Sequence, residues 1–298
     1  MAPDPQARPI DRVFAAYALV GALALLFPHH TPIWPALVAL HLLAAAAALY
    51  LPPVRRLLLA AGRAWPRLSR VVHDWYALAL VPALYTELAI LNQAVWNGHY
   101  FDAAIQRVEI AIFGGLPSRE LATAFPYPVL SEFLHTAYLS YYVILFGPSL
   151  FLYLAGRVHA FRVVTFGVVF MLLLNYVAFI FYPVQGPRYL FPPPGGPLRG
   201  EFVNRLTHWI LEHGSARGAA FPSSHMSVVT VQTVMAYRYL RRAFPLLVVA
   251  VLGVGVGAVY SGFHYAVDMV AGALVALVLG LLVPRAYVLL ARQEPPVS

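Results

Sequence analysis

The 298-residue sequence has no cysteine and no lysine, and it has few charged residues of either sign. The absence of cysteine excludes disulfide bonds, thiolate metal sites and a cysteine nucleophile. Charged residues make up 11% of the chain, whereas a soluble domain usually carries about 25%. With 61% hydrophobic residues and a mean hydropathy of +0.72, the composition predicts a protein that crosses the membrane several times.

The charge pattern indicates membrane orientation and no nucleic-acid partner. All 20 basic residues are arginine and 12 residues are acidic, which gives a net charge of +8. Such an excess can indicate nucleic-acid binding, but these arginines fall mostly in short loops between apolar runs. Placing the arginine-rich loops in the cytoplasm puts 14 arginines inside and 6 outside, with both termini inside. The 14 are Arg8, Arg12, Arg55, Arg56, Arg63, Arg67, Arg70, Arg157, Arg162, Arg238, Arg241, Arg242, Arg285 and Arg292.

Apolar runs predict eight membrane spans, since a helical span needs about 20 mostly apolar residues. They cover 13–27, 33–51, 74–96, 132–154, 163–182, 225 to the arginines at 238–242, 244–260 and 264–283. The first run is short, and a signal peptide is its alternative interpretation, because Ala22-x-Ala24 resembles a cleavage site. Residues 98–130 are too polar to cross. Their apolar spacing predicts two short interfacial helices, broken at Gly114-Gly115 and Pro117.

The residues that carry chemistry lie between 222 and 268. His264 and Asp268 are four residues apart, so on a helix both lie on one face, and the carboxylate can orient and polarise the imidazole. This pairing predicts a nucleophile. Pro222-Ser-Ser-His225 opens a predicted helix, where free backbone N–H groups and the helix dipole favour an anion. This second segment predicts a phosphate-binding site.

The two motifs carry a family resemblance. Pro222-Ser-Ser-His225 and His264-x-x-x-Asp268, joined by one hairpin, resemble the second and third signatures of the type 2 phosphatidic acid phosphatase superfamily. Tyr182-Pro-Val-Gln-Gly-Pro-Arg188 resembles a degenerate first signature. Ser131-Glu-Phe-Leu-His135, continued to Tyr142, resembles the branch that contains inositol phosphorylceramide synthases.

The resemblance covers about residues 73 to 285 and implies an all-α integral membrane protein. Residues 73–285 would form a six-helix catalytic domain. Residues 1–72 would add two transmembrane helices and a basic cytoplasmic loop, and residues 286–298 would be a cytoplasmic tail. The membrane would be the bacterial cytoplasmic membrane. All three signatures then fall on its extracytoplasmic face, in agreement with the arginine distribution.

The resemblance also implies roles for single residues and no metal or other cofactor. His264 would attack phosphorus and become a phosphohistidine, Asp268 would keep its tautomer, and His225 would protonate the leaving alkoxide. The phosphoryl oxygens would be bound by Arg188, Ser223 and Ser224. Candidates for substrate binding are Glu132, His135, Tyr138, Tyr142, Tyr189, Arg217 and Tyr260. The four between 132 and 142 equally fit an interfacial aromatic belt with helix capping.

Two departures from the family pattern bear on the substrate. Related phosphatases usually carry a lysine and an arginine at the positions of Phe181 and Ala258. A phosphomonoester brings nearly two negative charges and a diester only one, so the loss of two cations favours a diester donor.

The leading hypothesis is therefore a phosphotransferase that moves a phospho-headgroup between lipids. A lipid phosphate phosphatase acting on phosphatidic acid or prenyl phosphates is the first alternative. A transporter or lipid-binding protein that relays protons is a second alternative, from another class. A transporter of this kind usually has its ionisable residues at broken helices in mid-membrane, whereas the ionisable cluster of this chain lies at helix ends. The sequence gives no oligomeric state.

Overall fold

The computed structural model describes residues 7–27, 32–49, 60–192 and 202–291. Within these ranges the chain forms α-helices joined by turns, without strands. The main helices are α1 (Pro9–Ala24), α2 (Trp34–Ala48), α3 (Pro66–Trp96), α4 (Asp102–Phe113), α5 (Pro117–Ala124), α6 (Pro128–Leu154), α7 (Val158–Phe181), α8 (Pro187–Leu190), α9 (Phe202–Gly214), α10 (Ser224–Tyr239), α11 (Phe244–Tyr260) and α12 (Ala266–Ala291). The predicted all-α membrane class is confirmed.

Each predicted span coincides with a helix, but the helices differ in length. In the described part of the chain, four are long and apolar enough to cross a membrane, namely α3, α6, α7 and α12. α2 and α11 are apolar but have only 15 and 17 residues, and α1 and α10 have 16 each. Residues 28–31 between the first two predicted spans, the basic segment with Arg55 and Arg56, and the predicted tail with Arg292 lie outside the described residues.

Proline and glycine lie at several of the helix boundaries. α3, α5, α6 and α11 all have proline in their first two positions. Proline fits there because its φ is already helical and its missing N–H would have no partner in the helix. α4 ends at Gly114, whose φ of 76° is accessible to glycine at little cost. The predicted break between two short helices at this position is confirmed.

α7 forms the centre of the molecule. In its most apolar 18-residue window 78% of the residues are buried, against 33 to 39% in the corresponding windows of α3, α6 and α12. α7 packs against α1, α3, α6, α10 and α12. The other long helices therefore leave much apolar surface exposed, as expected for helices that face lipid.

An ion network lies at one end of the bundle, where α1, α3 and α7 begin. Arg8 is 3.3 Å from Asp11 and 3.4 Å from Asp74, and Arg162 is 3.3 Å from the same Asp74 oxygen. Both carboxylates are buried, so each needs these partners. The residues that carry chemistry lie at the opposite end, where α7 ends and α10 and α12 begin.

Candidate active site

Backbone hydrogen bonds join the three signature segments at this end of the bundle. The N–H of Ser223 donates to the carbonyl of Asp268 at 3.0 Å, which connects the start of α10 to the start of α12. The N–H of Val184 donates to Gly218, and the N–H of Ala220 donates back to Val184, at 3.2 and 2.9 Å. The segment after α7 is thereby fixed beside the one that leads into α10.

His264 lies in the turn before α12, so the prediction that the eighth helix begins at this histidine is wrong. The helix begins at Ala266, because the carboxylate of Glu109 on α4 accepts the N–H groups of Ala266 and Val267, both at 3.0 Å. Asp268 nevertheless reaches the imidazole. Its Oδ2 lies 3.3 Å from His264 Nδ1 and also accepts the N–H of Tyr265 at 2.9 Å.

The contact with Asp268 decides which nitrogen of His264 can react. If Nδ1–H donates to the carboxylate, the lone pair remains on Nε2. Burial lowers the pKa of His264 from 6.5 to about 4; the nearby backbone of Ala220 opposes this shift, and the Arg188 guanidinium adds to it. The imidazole is therefore neutral at pH 7 and has a free lone pair.

His225 is the second residue of α10, as the sequence predicts. Ser223 caps this helix, and its hydroxyl accepts the N–H of Met226 at 3.3 Å. Because the N–H of Ser223 donates to Asp268, Ser224 is the one of the two serines that keeps a free backbone N–H. The N–H groups of Ser224 and His225 make no hydrogen bond within the described segments. They remain available to an anion.

The rings of His225 and His264 are adjacent in an edge-to-face arrangement, with centroids 5.6 Å apart and an interplanar angle of 67°. The hydroxyl of Tyr138 on α6 is 3.1 Å from His225 Nε2, and the ring of Tyr141 lies 4.2 Å from the His225 ring. The other nitrogen, His225 Nδ1, is buried without a partner in the described residues. The neutral, oriented imidazole of His264 and the half-buried imidazole of His225, which has an unused nitrogen, therefore lie in one site.

Arg188 brings a positive charge to this site from α8. Its Nη2 donates to the carbonyl of Leu211 at 3.2 Å, whereas its Nη1 is buried without a partner among the described residues. Gly186 precedes it with a φ of 89°, and a Cβ there would lie 3.1 Å from the carbonyl oxygen of Phe263. Glycine at 186 thus allows the arginine segment to approach the histidine segment.

Sequence reasoning missed two buried carboxylates of α4 that support the site. Asp102 accepts the N–H groups of Gln185 and Gly186, both at 2.9 Å. Glu109 caps α12, as described above. Their spacing of seven residues, which puts both on one face of a short helix, is the one signal that could have found them.

The substrate-binding candidates on α6 and α11 have different partners in the structure, and most of them do not contact the catalytic candidates. Glu132 accepts the N–H groups of Val203 and Asn204, at 2.8 and 2.9 Å, and so caps α9. His135 Nδ1 is bonded to the Ser131 carbonyl at 2.7 Å. Tyr142 is 40% exposed, and the Tyr260 hydroxyl donates to the Phe125 carbonyl. Tyr138 is the member of this set that contacts a catalytic candidate.

Tyr189 and Arg217 lie beside Arg188. The Tyr189 ring has the Arg188 guanidinium 4.8 Å from its centroid and that of Arg217 at 5.5 Å. Arg217 Nε also donates to the side-chain oxygen of Gln185 at 2.7 Å. The second guanidinium is therefore near the site but already bonded to protein.

α9 covers the site with a half-buried histidine that sequence reasoning did not select. The His208 ring lies 5.1 Å from the Phe263 ring and 5.8 Å from the His135 ring. Burial lowers the pKa of His208 from 6.5 to about 4. The neutral imidazole of His208, which packs on Phe263 next to His264, can donate or accept a hydrogen bond.

Comparison with known proteins gives one match. The sequence model of the PAP2 superfamily matches residues 103–282, more than half of the chain. The match begins in α4, ends in α12 and includes Arg188, His225, His264 and Asp268. No curated protein and no solved structure matches the chain.

Proposed function

The chain belongs to the PAP2 superfamily, whose members are phosphatases or phosphotransferases, and from this premise we propose that it is a membrane lipid phosphotransferase. It moves a phospho-headgroup from one lipid to another through a phosphohistidine at His264. The observation that carries the proposal is the pair of adjacent imidazoles of the buried His264 and the half-buried His225. One is oriented by Asp268 and the other has an unpartnered Nδ1.

In the first half of the reaction the lone pair on His264 Nε2 attacks phosphorus. As the P–N bond forms, the P–O bond to the lipid breaks and its electron pair stays on the leaving oxygen. His225 transfers a proton to that oxygen. The phosphorylated imidazole of His264 becomes cationic, and Asp268 stabilises it through the Nδ1–H bond.

In the second half a hydroxyl group of the acceptor lipid attacks the phosphohistidine. His225 is now neutral and takes the hydroxyl proton, while the P–N bond breaks and its electrons return to His264 Nε2. Water in place of the lipid hydroxyl would give hydrolysis. For a given donor, transfer and hydrolysis therefore differ in the acceptor.

The charge of the site supports a phosphodiester donor. The two positions where related phosphatases carry cations are occupied by Phe181 and by Ala258, which is completely buried beside Tyr138 and Met226. Arg188 and the N–H groups of Ser224 and His225, which have no partner among the described residues, remain as anion donors. Arg217 keeps its charge but is exposed, and its Nε–H is bonded to Gln185, so water screens it from the site. Each hydrogen bond to an ion contributes roughly 1.5–3 kcal/mol. A monoester dianion would thus leave about one charge poorly compensated.

Detection of a labelled phosphoenzyme tests whether His264 is the nucleophile. Purified protein in mixed micelles is mixed with a phosphodiester lipid labelled at phosphorus, and we expect acid-labile, base-stable label on the protein. His264→Ala should carry none. His225→Ala should form it about 10² to 10⁴ times more slowly, the usual loss for a general acid. His213→Ala is the matched control, because His213 is exposed and its hydrogen bond within the described residues is to Trp209 of its own helix. Label on the His264→Ala protein would refute the assignment.

The identity of the reaction products distinguishes transfer to a lipid from hydrolysis. With a hydroxyl-bearing lipid present, a phosphotransferase gives a new phospholipid in excess over water-soluble phospho-headgroup. Diester lipids should also turn over faster than phosphatidic acid at equal surface density. Faster turnover of monoesters, with water as the acceptor, would establish the phosphatase instead. Absence of any turnover by the unaltered protein would favour the transporter or lipid-binding alternative.

A further inference from the structure

A buried tyrosine fixes one side of His225. Tyr138 is 1% exposed, and its ring is stacked on that of His225 with centroids 5.0 Å apart and an interplanar angle of 29°. Its hydroxyl oxygen is 3.1 Å from His225 Nε2. α11 packs against the same turn of α6, where a Cβ at Gly257 would contact the Leu134 carbonyl and lie 3.4 Å from Tyr138 Cβ. Tyr138 therefore has little freedom to move away.

The bond at Nε2 determines what the other nitrogen of His225 can do. A neutral imidazole has one N–H and one lone pair, and an imidazolium has two N–H groups. If Nε2–H stays bonded to Tyr138 in both forms, the proton that His225 loses and regains is the one on Nδ1. Nδ1 is buried and makes no hydrogen bond to the described part of the protein. It is thus the nitrogen left for an oxygen of the substrate. A buried polar atom of this kind is costly unless a ligand satisfies it.

We propose that Tyr138 is the positioning residue of His225, an inference that rests on the proposed function. The Tyr138 oxygen accepts Nε2–H, and this keeps the exchangeable proton on Nδ1. With the donor bound, His225 is the imidazolium, with protons on both nitrogens. When the P–O bond breaks, the Nδ1 proton moves to the leaving oxygen, and the neutral ring keeps Nε2–H bonded to Tyr138. When the acceptor attacks, its hydroxyl proton moves to the Nδ1 lone pair as the new P–O bond forms and the P–N bond breaks.

The test uses two diesters whose leaving groups differ in their need for a proton. An alkyl p-nitrophenyl phosphate releases p-nitrophenolate, which leaves without protonation, so the burst of colour reports attack by His264 alone. A dialkyl phosphate lipid releases an alkoxide, which needs the proton of His225. Tyr138→Phe should keep the burst rate within about threefold of the unaltered protein. It should slow both dialkyl turnover and the steady state after the burst by at least about tenfold, less than the 10²–10⁴ of a lost general acid.

Tyr141→Phe is the matched control, because its ring also packs on His225 but its hydroxyl makes no hydrogen bond to His225. It should slow dialkyl turnover much less than Tyr138→Phe does. In the His225→Ala background, Tyr138→Phe should have no further effect, since the two residues act as one unit. Unfolding temperatures of all variants show whether each is folded.

Three results would overturn the inference. Tyr138→Phe could slow the aryl burst as much as dialkyl turnover, which would indicate a general structural role. It could match Tyr141→Phe on both substrates. It could slow the His225→Ala protein further. If the unaltered protein shows no burst and no turnover, the proposed function itself fails. An active protein with a slow His225→Ala variant and an unaffected Tyr138→Phe variant would remove only the role of Tyr138.

Discussion

At the scale of single residues, His264 must be neutral to attack phosphorus, and its surroundings determine the pH range in which it is. Burial lowers the pKa of His264 to about 4, and Arg188 acts in the same direction. A lowered pKa means that the ring loses its proton as pH rises through about 4 and stays neutral above it. A histidine with the usual pKa of about 6.5 would instead lose roughly fivefold in neutral fraction between pH 6.5 and 5.5.

The pH dependence of phosphohistidine formation checks this shift. An alkyl p-nitrophenyl phosphate is a monoanion over this range and needs no general acid, so its burst rate isolates His264. We expect a constant burst rate from about pH 8 down to pH 5 and a fall only below that. A fall centred at pH 6.5 or above would contradict the prediction. It would show that the Asp268 carboxylate outweighs burial and Arg188.

At the scale of helices, α9 depends on a carboxylate from another helix. Glu132 on α6 accepts the N–H groups of Val203 and Asn204 in the first turn of α9, where no partner exists within the helix. At the other end, Arg188 donates to the carbonyl of Leu211. α9 is therefore fixed at both ends by side chains of the site region, and its local stability should depend on them.

Removal of this cap should open α9 locally. Glu132→Ala loses two hydrogen bonds to an ion, each contributing roughly 1.5–3 kcal/mol. We therefore expect hydrogen exchange of the amides in 202–214 to accelerate by at least about tenfold. Mass spectrometry of the protein in micelles measures it. Glu212→Ala is the control, since Glu212 is exposed on the same helix and its carboxylate makes no hydrogen bond or ion pair within the described residues. Equal protection in both variants would show that packing alone stabilises α9.

The same elements show what the sequence could and could not predict. The break between α4 and α5 was predictable because Gly114 and Pro117 act through their own backbone. The His264–Asp268 contact was predictable for a similar reason, since four residues of chain bring the side chains together even though the helix begins at Ala266. The caps by Asp102 and Glu109 were not, because their partners lie 83 and 157 residues away. Local patterns contain no information on such distant pairs.

At the scale of the whole molecule, the two ends of the bundle differ in chemistry. One end has the buried network of Arg8, Asp74 and Arg162, and there α10 ends near the exposed Arg241 and Arg242. The other end has the adjacent histidines and α9. α10 has 16 residues and is about 24 Å long. Since cytoplasmic loops are rich in arginine, this polarity predicts that the site faces away from the cytoplasm.

Single cysteines can test this orientation because the chain has none of its own. His213→Cys, at the exposed end of α9, should react with a membrane-impermeant maleimide on intact cells. Arg242→Cys, also exposed but at the other end of the bundle, should react only after the cells are opened. The reason is that one membrane separates the two positions if α10 crosses it. Labelling of Arg242→Cys alone on intact cells would invert the orientation, and the substrate would then have to come from the cytoplasmic leaflet. Labelling of both would mean that α10, at 16 residues, does not cross.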